Sequence, residues 1–293
     1  MKPSSFEYEA PGEIEQTLEI LARVGDDGKV LAGGQSLVPL LNFRLAAPAT
    51  LVDINGVDGL SYLRRSGGWL NIGATTRQSV LERSPVAAEG WPLLHEALGF
   101  VAHAQIRNRG TVGGSVAHAD PAAELPVALA CLDARVRVRS VRGEREVGWR
   151  DLFVTHLTTS MEPDELLVAV EVPPVPDGSG WAFSEFARRH GDFALGGAAV
   201  LVALDDSGVC QEARIALLGA GDVPLRAEAA EKFLVGASLA EDTVGEAGRL
   251  AVDGIEPTGD IHGSGDYRKR LIEAMVRRAV TRAAERAATK AGG

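Results

Sequence analysis

With 293 residues, 45% hydrophobic and 24% charged, the chain has ordinary globular composition and is long enough for two domains, since single cores stop growing at roughly 250 to 300 residues. The formal net charge of -10 and pI near 5.2 exclude nucleic acid and anionic membranes as general partners, so an anionic ligand must be held by local donors. Cys131 and Cys210 are two lone thiols, which rules out both a disulfide framework and the four thiolates of an iron-sulfur cluster.

The opening stretch MKPSSFEYEAPGE carries acids and no apolar h-region, and no later run reaches the length of a membrane span. A cytoplasmic protein is expected. Apolar spacing from Ile14 to Leu21 predicts a helix, and GDDGKVLAGG reads as a turn, a short strand and a glycine loop. LVPLLNFRLA then predicts a helix stopped by Pro48, and Thr50 to Ile54 a second strand. Strand-like Trp69 to Ala74 and helical Thr76 to Ser84 follow, then a helix from Trp91 to Ala104.

A second glycine loop, GTVGGSVAHADP, spans Gly110 to Pro121, and Ala122 to Leu132 is helical by spacing, with Asp120 as its N-cap and Pro121 at its first position. ARVRVRS alternates as a half-exposed strand, and LLVAVEV is an apolar one. PPVPDGSG, at Pro173 to Gly180, reads as a linker between two domains. Beyond it, strands at LGGAAVLVAL and ARIALLGA precede helices, the last from about Tyr267 to Ala288, an order that predicts an α+β unit. From Gly265 onward eight Lys and Arg face three Asp and Glu, a net +5 read as a solvated basic helix face; no aromatic residues interleave the arginines as a nucleic-acid site would need.

The two glycine loops carry the chemistry. Gly33-Gly34-Gln35-Ser36 and Gly113-Gly114-Ser115 free backbone N–H groups from Cβ interference, and a pair of such loops suits a pyrophosphate between two polar halves, a dinucleotide; ordinary glycine turns are the alternative. Neither matches G-x-G-x-x-G, and neither ends in the Lys-Ser/Thr of a P-loop. GGSVA at Gly113 to Ala117 approaches a nucleophile elbow, but Ala117 replaces its last glycine and IRNRGTV is too polar for the buried strand such an elbow needs. His95, His103, His118, His156, His190 and His262 show no metal-ligand spacing, so no metal is expected.

AGGQSL, RNRGTVGGSVAHADPAAELP and ARRHGDFALGGAA together resemble the FAD-binding medium subunit of molybdenum hydroxylases, of the carbon monoxide dehydrogenase and xanthine dehydrogenase type, over nearly the full length. The resemblance implies an α+β fold: a two-subdomain FAD-binding domain of the PCMH, vanillyl-alcohol-oxidase-like type over 1–175 (subdomains about 1–57 and 58–175), then a smaller α+β domain over 176–293 that touches the flavin. It places Ala32, Gly33, Gly34, Gln35, Ser36 and Leu37 in one diphosphate-binding loop and Thr111, Gly113, Gly114 and Ser115 in the other.

Glu124 matches a carboxylate on the cofactor's hydroxyl-bearing chain, although an acid favoured near a helix N-terminus explains it as well. Val101 and Leu167 fall at cofactor-binding positions, Leu167 as an apolar residue beside the flavin. Asp192 and Phe193 match a segment reaching the isoalloxazine ring, and Gly73 to Thr76 a supporting turn. Three departures stand out: Phe193 replaces a frequent tyrosine, Gln35 the histidine of carbon monoxide oxidisers, and a FAD-contacting lysine has no counterpart near Ser184. The implied partners are a large molybdopterin-binding subunit and a small subunit with two 2Fe-2S clusters, in a dimer of heterotrimers. A stand-alone FAD oxidoreductase and a non-catalytic assembly subunit are the alternative functions.

Overall fold

The computed structural model describes residues 2–291. Its first unit comprises β1 (Glu7–Glu9), α1 (Ile14–Val24), β2 (Gly28–Leu31), α2 (Leu37–Asn42) and β3 (Thr50–Asp53). The strands form a parallel sheet ordered β1-β3-β2, with Val30 opposite Val52. α1 turns Leu18, Ile20 and Leu21 onto Val52, Ile54 and Leu60. α2 stops well before Pro48. Arg44 takes a left-handed φ of 57°, and the N–H groups of Leu45 and Ala46 fold back to the Leu40 carbonyl.

The second unit runs through β4 (Leu63–Ser66), β5 (Trp69–Gly73), α3 (Gln78–Glu82), α4 (Pro85–Gly90), α5 (Pro92–Leu98), α6 (Ala104–Arg107), α7 (Val112–His118) and α8 (Glu124–Cys131). It continues through β6 (Arg135–Ser140), β7 (Gly143–Gly148), α9 (Trp149–Leu152), β8 (Phe153–Thr155), β9 (Thr158–Thr159) and β10 (Leu166–Val172). An antiparallel sheet ordered β4-β5-β10-β6-β7 is its scaffold. Leu166 and Val168 of β10 also enter the core of the first unit, so the two units share a seam.

Two expectations for this stretch are corrected. The helix foreseen from Trp91 to Ala104 breaks after Leu98: Ala102 has φ 41°, and the Arg107 guanidinium caps the freed carbonyls of Val101 and Ala102 at 2.8 and 3.3 Å. Asp120 does not cap α8. Its carboxylate accepts from Ala122 N–H at 2.8 Å in a turn ahead of the helix, and Ala123 stands at the N-cap. Every residue of α8 is buried, between α5 on one side and the next sheet on the other.

That sheet, β11 (Gly180–Phe186), β12 (Gly196–Leu204), β13 (Cys210–Leu218) and β14 (Leu225–Arg226), is antiparallel and in sequence order. α10 (Glu228–Leu234), α11 (Glu241–Ala251) and α12 (Gly265–Ala291) complete the chain. Period-two alternation splits β11 and β12: Ala182, Ala198 and Val200 face the α10–α12 layer, while Phe183, Ala199 and Leu201 join the core around α5 and α8. The basic face of α12 is less solvated than expected, because Arg282 and Arg286 reach Glu96 of α5 at 3.3 and 2.5 Å and Arg268 reaches Asp260 at 2.8 Å. Among the described residues no helix is long and apolar enough to cross a membrane.

Candidate functional site

β2 ends in the turn formed by Ala32, Gly33, Gly34, Gln35 and Ser36. Gly34 has φ +73°, a conformation that costs a side-chain-bearing residue strain, and its carbonyl accepts from Val38 N–H at 3.0 Å to start α2. Gln35 folds its amide onto the Gly33 carbonyl at 3.1 Å. Among the described residues, no acceptor takes up the backbone N–H groups of Gly33, Gly34, Gln35 or Ser36, and the Ser36 side chain makes no capping bond. A run of adjacent unsatisfied donors is an anion cradle. Leu37 follows as the half-buried first residue of α2.

The second glycine segment is not a loop but the N-terminus of α7. Thr111 is its N-cap, with Oγ1 accepting from Gly114 N–H at 3.1 Å. Val112 N–H goes to the Thr76 carbonyl at 2.9 Å, Gly113 N–H to that of Ala74 at 3.0 Å and Ser115 N–H to that of Thr111 at 3.1 Å. These donors are engaged, so the glycines here serve close packing instead. A Cβ on Gly113 would sit 2.7 Å from both Cα and O of Ala74. The Gly73–Thr76 turn is therefore the shelf on which α7 rests.

The two segments touch each other. A Cβ on Gly33 would stand 2.6 Å from the Arg109 carbonyl oxygen, 2.8 Å from Gly110 Cα and 3.0 Å from Thr111 N. Arg109, Gly110 and Thr111, far downstream in the chain, thus pack backbone to backbone against the turn after β2. An anionic diphosphate fits this arrangement: the turn offers adjacent free backbone donors, and the segment packed against it at Gly33 presents backbone atoms.

Further residues extend away from the cradle. Glu124 opens α8 and is buried; desolvation first, then the charge of Asp120, pushes its carboxyl up to about 7. Sequence reasoning missed Glu185 on β11. Burial first, then the charge of Glu124, raises it to about 8, and its Oε2 is buried without a hydrogen-bond partner. No local pattern pairs these carboxyls; the sheet packing does. Both can carry a proton near neutrality and donate it to a ligand hydroxyl or carbonyl.

Leu167 is buried in β10, one residue before Val168, whose carbonyl accepts from Ala74 N–H at 3.1 Å. Val101 is buried in the turn after α5, and His103, two residues on, lays its ring against Gly191. That contact brings the 101–103 turn to the segment holding Asp192 and Phe193, both exposed, Phe193 to 73%. The structure thus forms one cluster from Ala32–Ser36, Ala74–Arg77 and Arg109–Ser115, and a second from Val101–His103 with His190–Phe193.

Comparison with known proteins agrees with this architecture. The family model for the FAD binding domain in molybdopterin dehydrogenase matches residues 4–175, and that for the CO dehydrogenase flavoprotein C-terminal domain matches residues 181–283. The chain is 50% identical to the 6-hydroxypseudooxynicotine dehydrogenase complex subunit alpha of Paenarthrobacter nicotinovorans, covering 98% of this chain and 97% of the relative. It is 38% identical to the carbon monoxide dehydrogenase medium chain of Afipia carboxidovorans, over 98% and 99%. The solved quinoline 2-oxidoreductase of Pseudomonas putida 86 superposes with a TM-score of 0.94 at 42% identity, covering 98% of this chain and all of that one (100%). With a fold, a cradle and two family matches that run nearly end to end, the chain belongs to the FAD-binding medium subunits of molybdenum hydroxylases, and is an oxidoreductase subunit.

Proposed function

We propose that this chain carries one FAD between a small subunit with two 2Fe-2S clusters and an external acceptor, in a complex whose large subunit binds the molybdenum cofactor and hydroxylates the substrate. The observation that carries the reading is the row of unsatisfied N–H donors from Gly33 to Ser36, facing the start of α7 across a backbone contact. When bound, FAD supplies the redox chemistry, taking up electrons and releasing them to the acceptor. This chain's residues bind, orient and shield it. Residues 32–36 hold the diphosphate, with Thr111 and Ser115 beside it. Glu124 accepts from, or when protonated donates to, the hydroxyl-bearing chain. Val101, Leu167 and Phe193 supply apolar walls at the ring, and Asp192 orients the Phe193 turn.

On this reading residues 1–175 form the FAD-binding domain, with subdomains about 1–57 and 58–175, and residues 176–293 form the smaller domain that closes on the flavin. The complex is a dimer of heterotrimers in the cytoplasm. The tests are the visible spectrum of the protein purified with its partner chains, chromatographic identification of the released flavin, and a stopped-flow record of flavin reduction by reduced small subunit.

About one FAD per chain, reduced through the small subunit and reoxidised by an added acceptor, supports the reading. Full turnover by the chain alone favours the stand-alone oxidoreductase. A colourless complex that ignores added FAD favours the assembly subunit.

A further inference from the structure

The two sides of the cradle come from distant parts of the chain, and among the described residues no hydrogen bond runs directly between residues 32–36 and 109–115. One polar route joins them. Asn55, just after β3, donates from Nδ2 to the Ala32 carbonyl at 2.7 Å and to Asp53 Oδ1 at 2.6 Å. Its Oδ1 accepts from Arg77 Nη2 at 2.7 Å, and Arg77 sends its other terminal nitrogen to the Arg109 carbonyl. The Arg77 backbone also forms an antiparallel bridge with Thr111.

The near end is anchored in turn. Asp53 accepts from the Tyr8 hydroxyl at 2.5 Å and from Asn55 N–H at 2.9 Å. Burial opposes its ionisation, yet these bonds and the nearby Arg77 charge hold its pKa below the usual range, so the anchor stays anionic. Arg77 spans the gap with a planar fork, one terminal nitrogen on Asn55 Oδ1 and the other on the Arg109 carbonyl. A lysine has a single compact ammonium and cannot reproduce that geometry.

We infer that Arg77 and Asn55 are positioning residues that set the width of the diphosphate cradle, by tying the turn after β2 to the backbone that leads into α7. The inference rests on the FAD reading given above. Removing either residue leaves the Gly33 contact as van der Waals packing alone, and the cradle loses its fixed width before cofactor binds.

The test uses the purified complex and four variants: Arg77→Met, Arg77→Lys, Asn55→Ala and the Asn55→Ala/Arg77→Met double variant. FAD release is followed by the rise in flavin fluorescence, bound-flavin geometry by visible circular dichroism, and stability by thermal unfolding. Each single removal is expected to speed release about tenfold, and the double variant no more than the worse single, because both cut one link. Arg77→Lys recovers part of the loss. Arg23→Met, in an exposed ion pair of the same unit, leaves release unchanged.

Wild-type release rates in the single variants, or effects that multiply to about a hundredfold in the double, overturn the inference. Should Arg77→Met fail to fold, Asn55→Ala and Arg77→Lys decide by the same criterion. A wild-type complex that binds no FAD defeats the functional reading instead. The clasp is then read from hydrogen exchange at Val112 to Ser115 in Asn55→Ala: protection lower than wild type supports it, and unchanged protection refutes it.

Discussion

Gly33→Ala is the sharpest probe of the site. Its new Cβ would stand 2.6 Å from the Arg109 carbonyl oxygen, about 0.8 Å inside the 3.4 Å at which ordinary contact begins, and the obstructing atoms are all backbone. No side chain can swing aside, so the two halves of the cradle must separate by most of that distance. Overpacking of this kind costs ~1–3 kcal/mol, and a displacement near 1 Å at a binding constellation is worth up to about 100-fold. FAD titrated into flavin-free protein, followed by fluorescence quenching, should therefore bind about 10- to 100-fold more weakly, with a lower melting temperature. Gly12→Ala, where a Cβ meets nothing within 4 Å, is the control. A Gly33→Ala protein that binds FAD within about twofold of wild type and melts at the same temperature would refute the argument that backbone contact defines the groove.

Stability should fall as pH rises through the neutral range. Burial raises Glu124 to about 7 and Glu185 to about 8, so each keeps its proton in the folded state after the unfolded chain has lost it. Their contribution is complete below the ordinary glutamate pKa of about 4.3 and is lost between that value and about 8. Thermal melts of the flavin-free protein across that range check this, and the decline should flatten in Glu185→Gln; an equal slope in the variant counts against it. Arg107→Ala leaves Glu82 without its partner and two carbonyls of the 101–103 turn uncapped, at an expected cost of ~3 kcal/mol measured by urea unfolding. Burial pushes the thiols of Cys131 and Cys210 up to about 12 and about 11, so neither should react with a maleimide at pH 8 until the protein is unfolded.

Much of the frame is legible along the chain. The apolar spacing of α1, the alternation of β6 and the strand-then-helix order of the last unit each follow from a local period, because the buried face of an element repeats with its own geometry. The short edge strand β1 left no such trace: only three residues long, it shows no sustained alternation. α7 was hidden for a different reason. Two glycines disfavour a helix by roughly 1 kcal/mol each, and the structure overrides that preference with Thr111 as a cap and the carbonyls of Ala74 and Thr76 as acceptors, all but the first of them remote in sequence.

By itself the sequence determined that a glycine-rich, hydroxyl-bearing pair of segments exists, and that the chain carries the ordered motifs of a FAD-binding medium subunit. Which donors are free was decided only in three dimensions. Gly33 and Gly113 look alike as residue types, but the N–H of Gly113 is consumed by Ala74 while that of Gly33 finds no acceptor among the described residues. Glu185 acquires its raised pKa from burial and then from Glu124, and Arg77 its role from the Arg109 carbonyl and the Asn55 side chain, both contributed by other segments. A backbone donor, a carboxyl and a guanidinium take their chemistry from neighbours in space, and the chain order does not name those neighbours.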